Sequence, residues 1–313
     1  MISVGESELY LYVTFHVADG VESEREVRLL QLAELLWHIS LIPCKAIHAR
    51  LFTNAPPGSL DAFGEPLRRR FELQSDLAVH HVDSRTLQHP YYLTWCHKEW
   101  LASDLKTAGQ DSYFLYLEDD ALFTASNLSY FAECNLQARE IGIIPSFLRS
   151  EWHSTMKRWV VVDALKAIGP LERAAISGQP VNGVYWVPMP NPYAGMYLLD
   201  FTLAQEYVKS ASFDAVESAK MSNWGIRERA AMGMTFEGVH PSLRTRLAVG
   251  FTSTSRAPVI GSVIRHQGDK YSAMKGEFST IPLFDLESKR KLGFTDISRR
   301  ISGSMRRRPG TSE

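Results

Sequence analysis

The sequence predicts an α/β fold, a mostly parallel central sheet flanked by helices. Three observations lead there. Over the first 125 residues the apolar spacing switches between the strand period of two and the helical period. Loops rich in Gly, Pro, Ser and Asn separate the segments. Polar side chains gather where the strand-like runs end.

Each element follows from its own residues. "LYLYVTFHV" (Leu9–Val17) is rich in β-branched and aromatic residues and predicts the first strand. "SEREVRLLQLAELLWHI" predicts a helix, with Ser23 and Glu26 at capping-box spacing. Ala46–Asn54 is the second strand, closed by the loop "APPGS", and Leu77–Asp83 is the third. A helix is expected through "HPYYLTWCHKEWLASDLKTAG", with Pro90 in its first turn and Gly109 past its end. "SYFLYLEDDALF" is the fourth strand.

That order belongs to an open sheet whose ligands bind beyond the carboxyl ends of the strands. Those ends carry Thr14 and His16, Thr53 and Asn54, Asp83 and Arg85, and the triplet Glu118-Asp119-Asp120. Four strand ends thus offer polar side chains to one crevice.

The second half is less regular. "EIGIIPSFLRSEW" and "RWVVVDAL" predict strands joined by a turn, and "SGQPVNGVYWVPMPNPYAGMYLLD" a pocket-shaping loop. "FTLAQEYVKSASF" and "SNWGIRERAAMGM" predict helices, and "PVIGSVIRHQGDKYSAMKG" a strand with a Gly-containing turn. The expected organisation is one domain in two halves, 1–125 and 126–284, followed by a basic tail, 285–313. The tail is expected to be solvated; the alternative is peripheral contact with anionic lipid through Lys289, Arg290, Lys291, Arg299, Arg300 and Arg306 to Arg308.

Composition narrows the classes. With 45% hydrophobic and 22% charged residues the chain is of ordinary globular type. A net charge of -1 argues against nucleic acid as a partner. No stretch nears the roughly 20 apolar residues of a membrane span, and "MISVGESELYLYVTFHV" lacks the pattern of a signal peptide. Cys44, Cys96 and Cys134 stand far apart in sequence, which fits a reducing compartment. A cytoplasmic protein is expected, peripheral at the inner membrane face if the tail engages lipid.

The triplet carries the most chemistry. A carboxylate does not stay ionised in an apolar interior without a partner, and hard divalent cations such as Mg²⁺ and Mn²⁺ prefer carboxylate oxygens combined with substrate phosphates. Alternation on an extended segment puts Glu118 and Asp120 on one face, toward a metal. Asp119 then points to a ribose or sugar hydroxyl. Thr14, Asn54 and Asp83 are expected near base and ribose, with His16 and Arg85 beside them, and Lys98 or His97 approaching the nucleotide. Tyr92, Trp95 and Leu101 read as core, while Trp186, Asn191 and Tyr193 suit an acceptor sugar.

An acidic motif directly after a hydrophobic strand, "YFLYLEDDALF", resembles the DXD-type motif of GT-A-fold glycosyltransferases, here as Glu-Asp-Asp. The resemblance covers the order of elements from about Leu9 to Asp120, plus two later features. It implies a Rossmann-like half that binds a nucleotide sugar and an irregular half that binds an acceptor. It also implies a divalent metal on the diphosphate. His266 in "VIRHQGDKYS" resembles the further metal contact that GT-A enzymes draw from their C-terminal region, with Lys270 and Tyr271 positioned for diphosphate oxygens. In "NWGIRERAAMG", Glu228 resembles the general base of inverting members, flanked by Arg227 and Arg229; Asp200 is the competing base. A retaining enzyme requires neither. The implied setting is polysaccharide or glycoconjugate synthesis.

Two other readings compete. A sugar-nucleotide nucleotidyltransferase shares metal and sheet, yet usually carries a Gly-rich basic loop where this chain has "HVADGVESERE". A non-catalytic glycan-binding protein shares the fold. The chain has no Walker-type loop, Gly-x-Gly-x-x-Gly, Gly-x-Ser-x-Gly or zinc-spaced Cys/His set, which removes P-loop ATPase, dehydrogenase and serine hydrolase readings.

Overall fold

A computed structural model describes residues 4–17, 22–60, 76–163, 167–189, 191–272 and 281–287. The basic tail beyond Glu287 lies outside the described residues. In chain order the elements begin with β1 (Glu8–Phe15), α1 (Glu22–Ser40), β2 (Ala46–Thr53) and β3 (Asp76–His81). A 3₁₀ turn, Pro90–Trp95, leads into α2 (His97–Asp104), then β4 (Tyr113–Glu118), β5 (Ala121–Leu122) and α3 (Ala125–Glu140). The second half holds β6 (Ile144–Pro145), β7 (Leu148–His153), β8 (Arg158–Val161), β9 (Val184–Pro188) and β10 (Met196–Asp200). It continues through α4 (Phe201–Val208), α5 (Ala215–Met221), α6 (Ile226–Ala230), β11 (Leu247–Thr252), β12 (Val263–His266) and β13 (Ile281–Pro282).

The first sheet has the order β10-β4-β1-β2-β3. Strands β1 to β4 are parallel and β10 runs antiparallel to β4. Leu9 to Val13 and Phe15 of β1, and Tyr113 to Leu117 of β4, are all buried. Continuous apolar runs are what central parallel strands covered on both faces require. Helix α1 buries Leu29, Leu32, Leu35, Leu36 and Ile39, one stripe at helical spacing. From β1 the chain steps outward to β2 and β3, then returns to place β4 on the other side of β1. The carboxyl ends of β1 and β4 therefore flank the point where strand order reverses, the preferred ligand crevice of such sheets.

The second half adds a three-stranded sheet, β6-β11-β9, and a five-stranded sheet, β13-β8-β7-β12-β5. The acidic triplet joins the two larger sheets: Glu118 ends β4, and the chain enters β5 at Ala121 after a two-residue turn.

Several local expectations need correction. Helix α1 starts at Glu22, so Ser23 lies one residue inside the helix and not before it. The segment after His89 splits into the 3₁₀ turn and α2; His89 caps the turn through Nδ1, which accepts from Tyr91 N. The Pro- and Gly-rich stretch read as a loop contributes both β9 and β10. Of "SNWGIRERAAMGM" only Ile226–Ala230 is helical. Helix α3 and strand β11 complete the fold without a predicted counterpart. The three cysteines are unpaired and half-buried, and burial pushes the Cys44 thiol up to about 12. Among the described residues no helix is long and apolar enough to cross a membrane.

Candidate active site

A cavity of about 610 Å³ opens at the carboxyl ends of β1 and β4, large enough for a nucleotide-sized ligand. Thr14 lines it from β1 and His16 from the residue after that strand, Arg28 from α1, Tyr91 and Thr94 from the 3₁₀ turn. The triplet forms one wall, Arg227 of α6 another, and His266, Lys270 and Tyr271 close it from β12 and the following turn.

Strand register explains why residues so distant in sequence meet. Antiparallel pairing of β12 with β5 sets His266 opposite Ala121, and Gln267 N donates to the carbonyl of Asp120 at 2.8 Å. His266 therefore lies beside Asp120, with Nε2 3.1 Å from Oδ2. On its other side β12 runs parallel to β7, pairing Arg265 with Ser150. That register puts Glu151 next to His266, and Glu151 Oε1 lies 2.7 Å from Nδ1. The second carboxylate oxygen of Glu151 accepts from Ser272 N. Lys270 Nζ donates to Asp120 Oδ2 at 3.3 Å.

These contacts set the protonation states. Burial lowers the His266 pKa, but hydrogen bonds to Asp120 and Glu151 outweigh it and bring the imidazole to about 8. Burial alone would raise Asp120; the hydrogen bond and charge of His266 instead hold its carboxyl far below the usual range. Glu151 is held down in the same way.

The other two carboxylates face different partners. Asp119 is 2% exposed and pairs with Arg28, whose Nε donates to Oδ2 at 2.9 Å and whose Nη2 contacts Oδ1. Burial lifts Asp119 to about 6 against the pull of that guanidinium. Glu118 Oε1 accepts from Tyr193 OH at 2.5 Å. Burial raises its pKa while the Arg227 charge opposes. Below it lies Arg149, buried and held by Asp163 through Nε at 2.9 Å and Nη2 at 2.6 Å. Its guanidinium carbon sits 4.9 Å from the centre of the Tyr193 ring. Gly195, at φ +67°, lets the chain turn beside Glu118, whose N donates to the Gly195 carbonyl at 2.9 Å.

Of the residues singled out in the sequence, Thr14, His16, Glu118, Asp119, Asp120, Arg227, His266, Lys270 and Tyr271 line one cavity. The rest do not, each for a local reason. Asn54 clamps the backbone of Val17, accepting from its N and donating to its carbonyl, both at 2.8 Å. Asp83 caps a short 3₁₀ turn and pairs with exposed Arg85. Lys98 is 5% exposed, inside a cage of Trp95, Tyr197, Tyr207 and Phe213, where burial drives its pKa well down. His97, also buried, lies between Thr94 O and Tyr197 OH.

Asp200 pairs in register with Tyr113, the first residue of β4, because β10 is antiparallel. It therefore stands at the amino end of β4, the far end of the strand from the triplet. There it caps α4 by accepting from Leu203 N at 2.9 Å and pairs with Arg139. Glu228 bends back over Gly225, closer than any Cβ there would allow, and accepts from Arg227 Nη2 at 3.2 Å. It is Arg227 that lines the cavity. Trp186 is a core residue of β9 at 1% exposed, and Asn191 accepts from Tyr193 N.

Arg28, Arg149, Glu151 and Asp163 were not singled out in the sequence. For Arg28 a signal existed, since the first turns of the helix after β1 face the strand ends. For the other three none did, because the register of β7 on β12 is a long-range pairing.

No protein-family model matches the chain, and no curated protein matches it. Among solved structures, an active-site mutant of LgtC is similar at a TM-score of 0.39 and 13% identity, covering 96% of this chain and 97% of that one. The apo form of mouse xyloside xylosyltransferase 1 is similar at 0.34 and 12%, over 72% and 78%. The galactosyltransferase LgtC in complex with donor and acceptor sugar analogues is similar at 0.33 and 12%, over 71% and 68%. Likenesses this slight leave the reading of the site to the chain's own residues.

Proposed function

We propose that the chain is a metal-dependent glycosyltransferase, moving a sugar from a nucleoside-diphosphate donor to a hydroxyl acceptor in polysaccharide or glycoconjugate synthesis. One observation carries this reading: Asp120, His266 and Lys270 converge at the switch point of a parallel sheet, with Asp120 Oδ2 3.1 Å from His266 Nε2 and 3.3 Å from Lys270 Nζ. A carboxylate, an imidazole and an ammonium at that edge make a combination suited to a metal diphosphate.

The residues fit a hard divalent ion. Adjacent ligands of an octahedral Mg²⁺ or Mn²⁺ site lie about 3 Å apart, given bonds near 2.1 Å, and the Asp120–His266 spacing matches. Glu151 on Nδ1 fixes the ring so that Nε2 faces the ion, the usual outer support of a ligating histidine. Among the described residues no three His, Cys, Asp or Glu side chains form a complete metal site. Asp120 and His266 would hold the ion jointly with donor phosphates, as such ions commonly bind. When bound, the metal neutralises charge on the departing diphosphate.

The chain's other residues do the rest. Lys270 supplies a point charge to the diphosphate. Arg28 fixes Asp119 at the mouth of β4, and Thr14 and His16 form the floor toward base and ribose. Glu118, held by Tyr193 and beside Arg227, faces the acceptor half. Asp200 and Glu228 stand outside the cavity lining, so neither is assigned the acceptor's proton. A screen of common sugar nucleotides with and without Mn²⁺, reading released nucleoside diphosphate, tests the reading: at least one donor should be hydrolysed slowly and only with metal. Failure of every donor to be hydrolysed or to shift the melting temperature would overturn it.

A further inference from the structure

The β7–β8 hairpin leaves the body of the fold with an unusual face. From Trp152 to Trp159 every residue except half-buried His153 is exposed. Trp152 and Trp159 pack edge to face with ring centres 5.7 Å apart, yet each stays 38% exposed. Met156 at the turn is 37% exposed, and Lys157 and Arg158 follow it, with no acidic residue between Trp152 and Trp159. Next to it β13 pairs with β8, and Phe284 beyond that strand is 79% exposed. Arg265 places its guanidinium 5.9 Å from the Trp159 ring, and Asp285 lies 4.0 Å from Arg158. Paired tryptophans, a methionine and basic side chains on one protrusion suit the boundary between lipid headgroups and acyl chains.

We propose that this hairpin seats the protein on an anionic bilayer. Charge decides for that occupant over a protein groove. The sequence after Glu287, residues 288–313, carries eight Arg and Lys residues against Asp296 and Glu313. It begins just after β13, the strand that pairs with the hairpin's own β8. Aromatic insertion together with clustered positive charge provides the two signals that stable peripheral attachment needs.

The hairpin also reaches the pocket. Trp152 N donates to Asp269 Oδ1 at 3.1 Å and Ser272 Oγ to the Trp152 carbonyl at 3.3 Å, both within the turn that carries Lys270. Seating the hairpin brings that side of the cavity to the membrane, where a lipid-linked hydroxyl acceptor would meet it. The docking surface itself does not depend on glycosyl transfer being the reaction.

Flotation of the full chain with phosphatidylcholine vesicles, with and without phosphatidylglycerol, is the test. The wild type should float with the anionic vesicles and not with the neutral ones. Trp152→Ser/Trp159→Ser should lose about tenfold in partitioning, with an unchanged circular dichroism spectrum. Lys157→Glu/Arg158→Glu, which leaves the tryptophan pair intact, should lose a similar factor on anionic vesicles. Equal flotation of wild type and both variants would assign any binding to the tail alone and overturn the proposal, as would a wild type that floats with neither vesicle.

Discussion

Asp120, at the exit of β4, and His266, at the end of β12, lie 3.1 Å apart although they come from opposite halves of the chain. Two strand pairings create this contact, β12 on β5 and β12 on β7. The second brings Glu151 to the far ring nitrogen at 2.7 Å. The site is therefore a row of three side chains, of which only the first belongs to the acidic triplet.

Glu151→Gln is expected to weaken Mn²⁺ binding by about 10- to 100-fold, the usual cost of removing the outer partner of a ligating histidine. Isothermal titration with Mn²⁺ in the presence of a nucleoside diphosphate measures it. Affinity equal to wild type would separate Glu151 from the metal role.

The proton on His266 competes with the ion, so binding should depend on pH with a known sign. The metal-free imidazole titrates near 8. Below that pH, affinity should rise up to tenfold per unit as one proton is released, and above it the rise should stop. The metal-free protein shows the converse in stability. A folded pKa above the unfolded value stabilises fully below about 6.5, and the gain disappears as pH rises through 8. It amounts to about 2 kcal/mol and is checked by denaturant titration of wild type and His266→Gln.

Glu228→Gln should keep transfer within about threefold, because its carboxylate turns toward Gly225 and Arg227. Loss of a true general base costs about 10²–10⁴-fold. Arg227→Ala, which removes a cavity wall, should lower kcat/KM by about tenfold or more. The reverse ranking would restore Glu228 to the chemistry.

Burial in the aromatic cage drives the Lys98 pKa well below that of a free lysine, so between the folded and unfolded values folding releases its proton and higher pH favours the folded state. Relative to Lys98→Met, wild-type stability should gain up to about 1.4 kcal/mol per pH unit as pH climbs toward the unfolded value near 10.4. Parallel pH profiles for the two proteins would mean the amine keeps its charge.

The parallel core and the edge where the cavity opens were legible because β1 and β4 are buried on both faces, which writes long apolar runs into the sequence. Strand-end position also selected Thr14, His16 and the triplet. The same rule selected Asn54 and Asp83, which spend their hydrogen bonds closing local loops; a polar residue at a strand end serves either purpose, and sequence does not separate them. Asp200 was misplaced by strand direction, since antiparallel β10 carries its carboxyl end to the amino end of β4. Lys98 lay on a recognisable helix, but its cage is assembled from Tyr197, Tyr207 and Phe213, distant in sequence. Glu151 depends entirely on register between β7 and β12, for which short-range patterns hold no signal.

The division of labour in the triplet differs from simple alternation: Asp120 faces His266, Asp119 faces Arg28, and Glu118 faces Tyr193. The central claim is that Asp120 anchors a metal diphosphate, and calorimetry of wild type and Asp120→Ala with Mn²⁺ and the donor found by screening tests it most directly. Metal-dependent donor binding should vanish in the variant, with its circular dichroism spectrum unchanged; equal affinity in the two proteins would contradict the account.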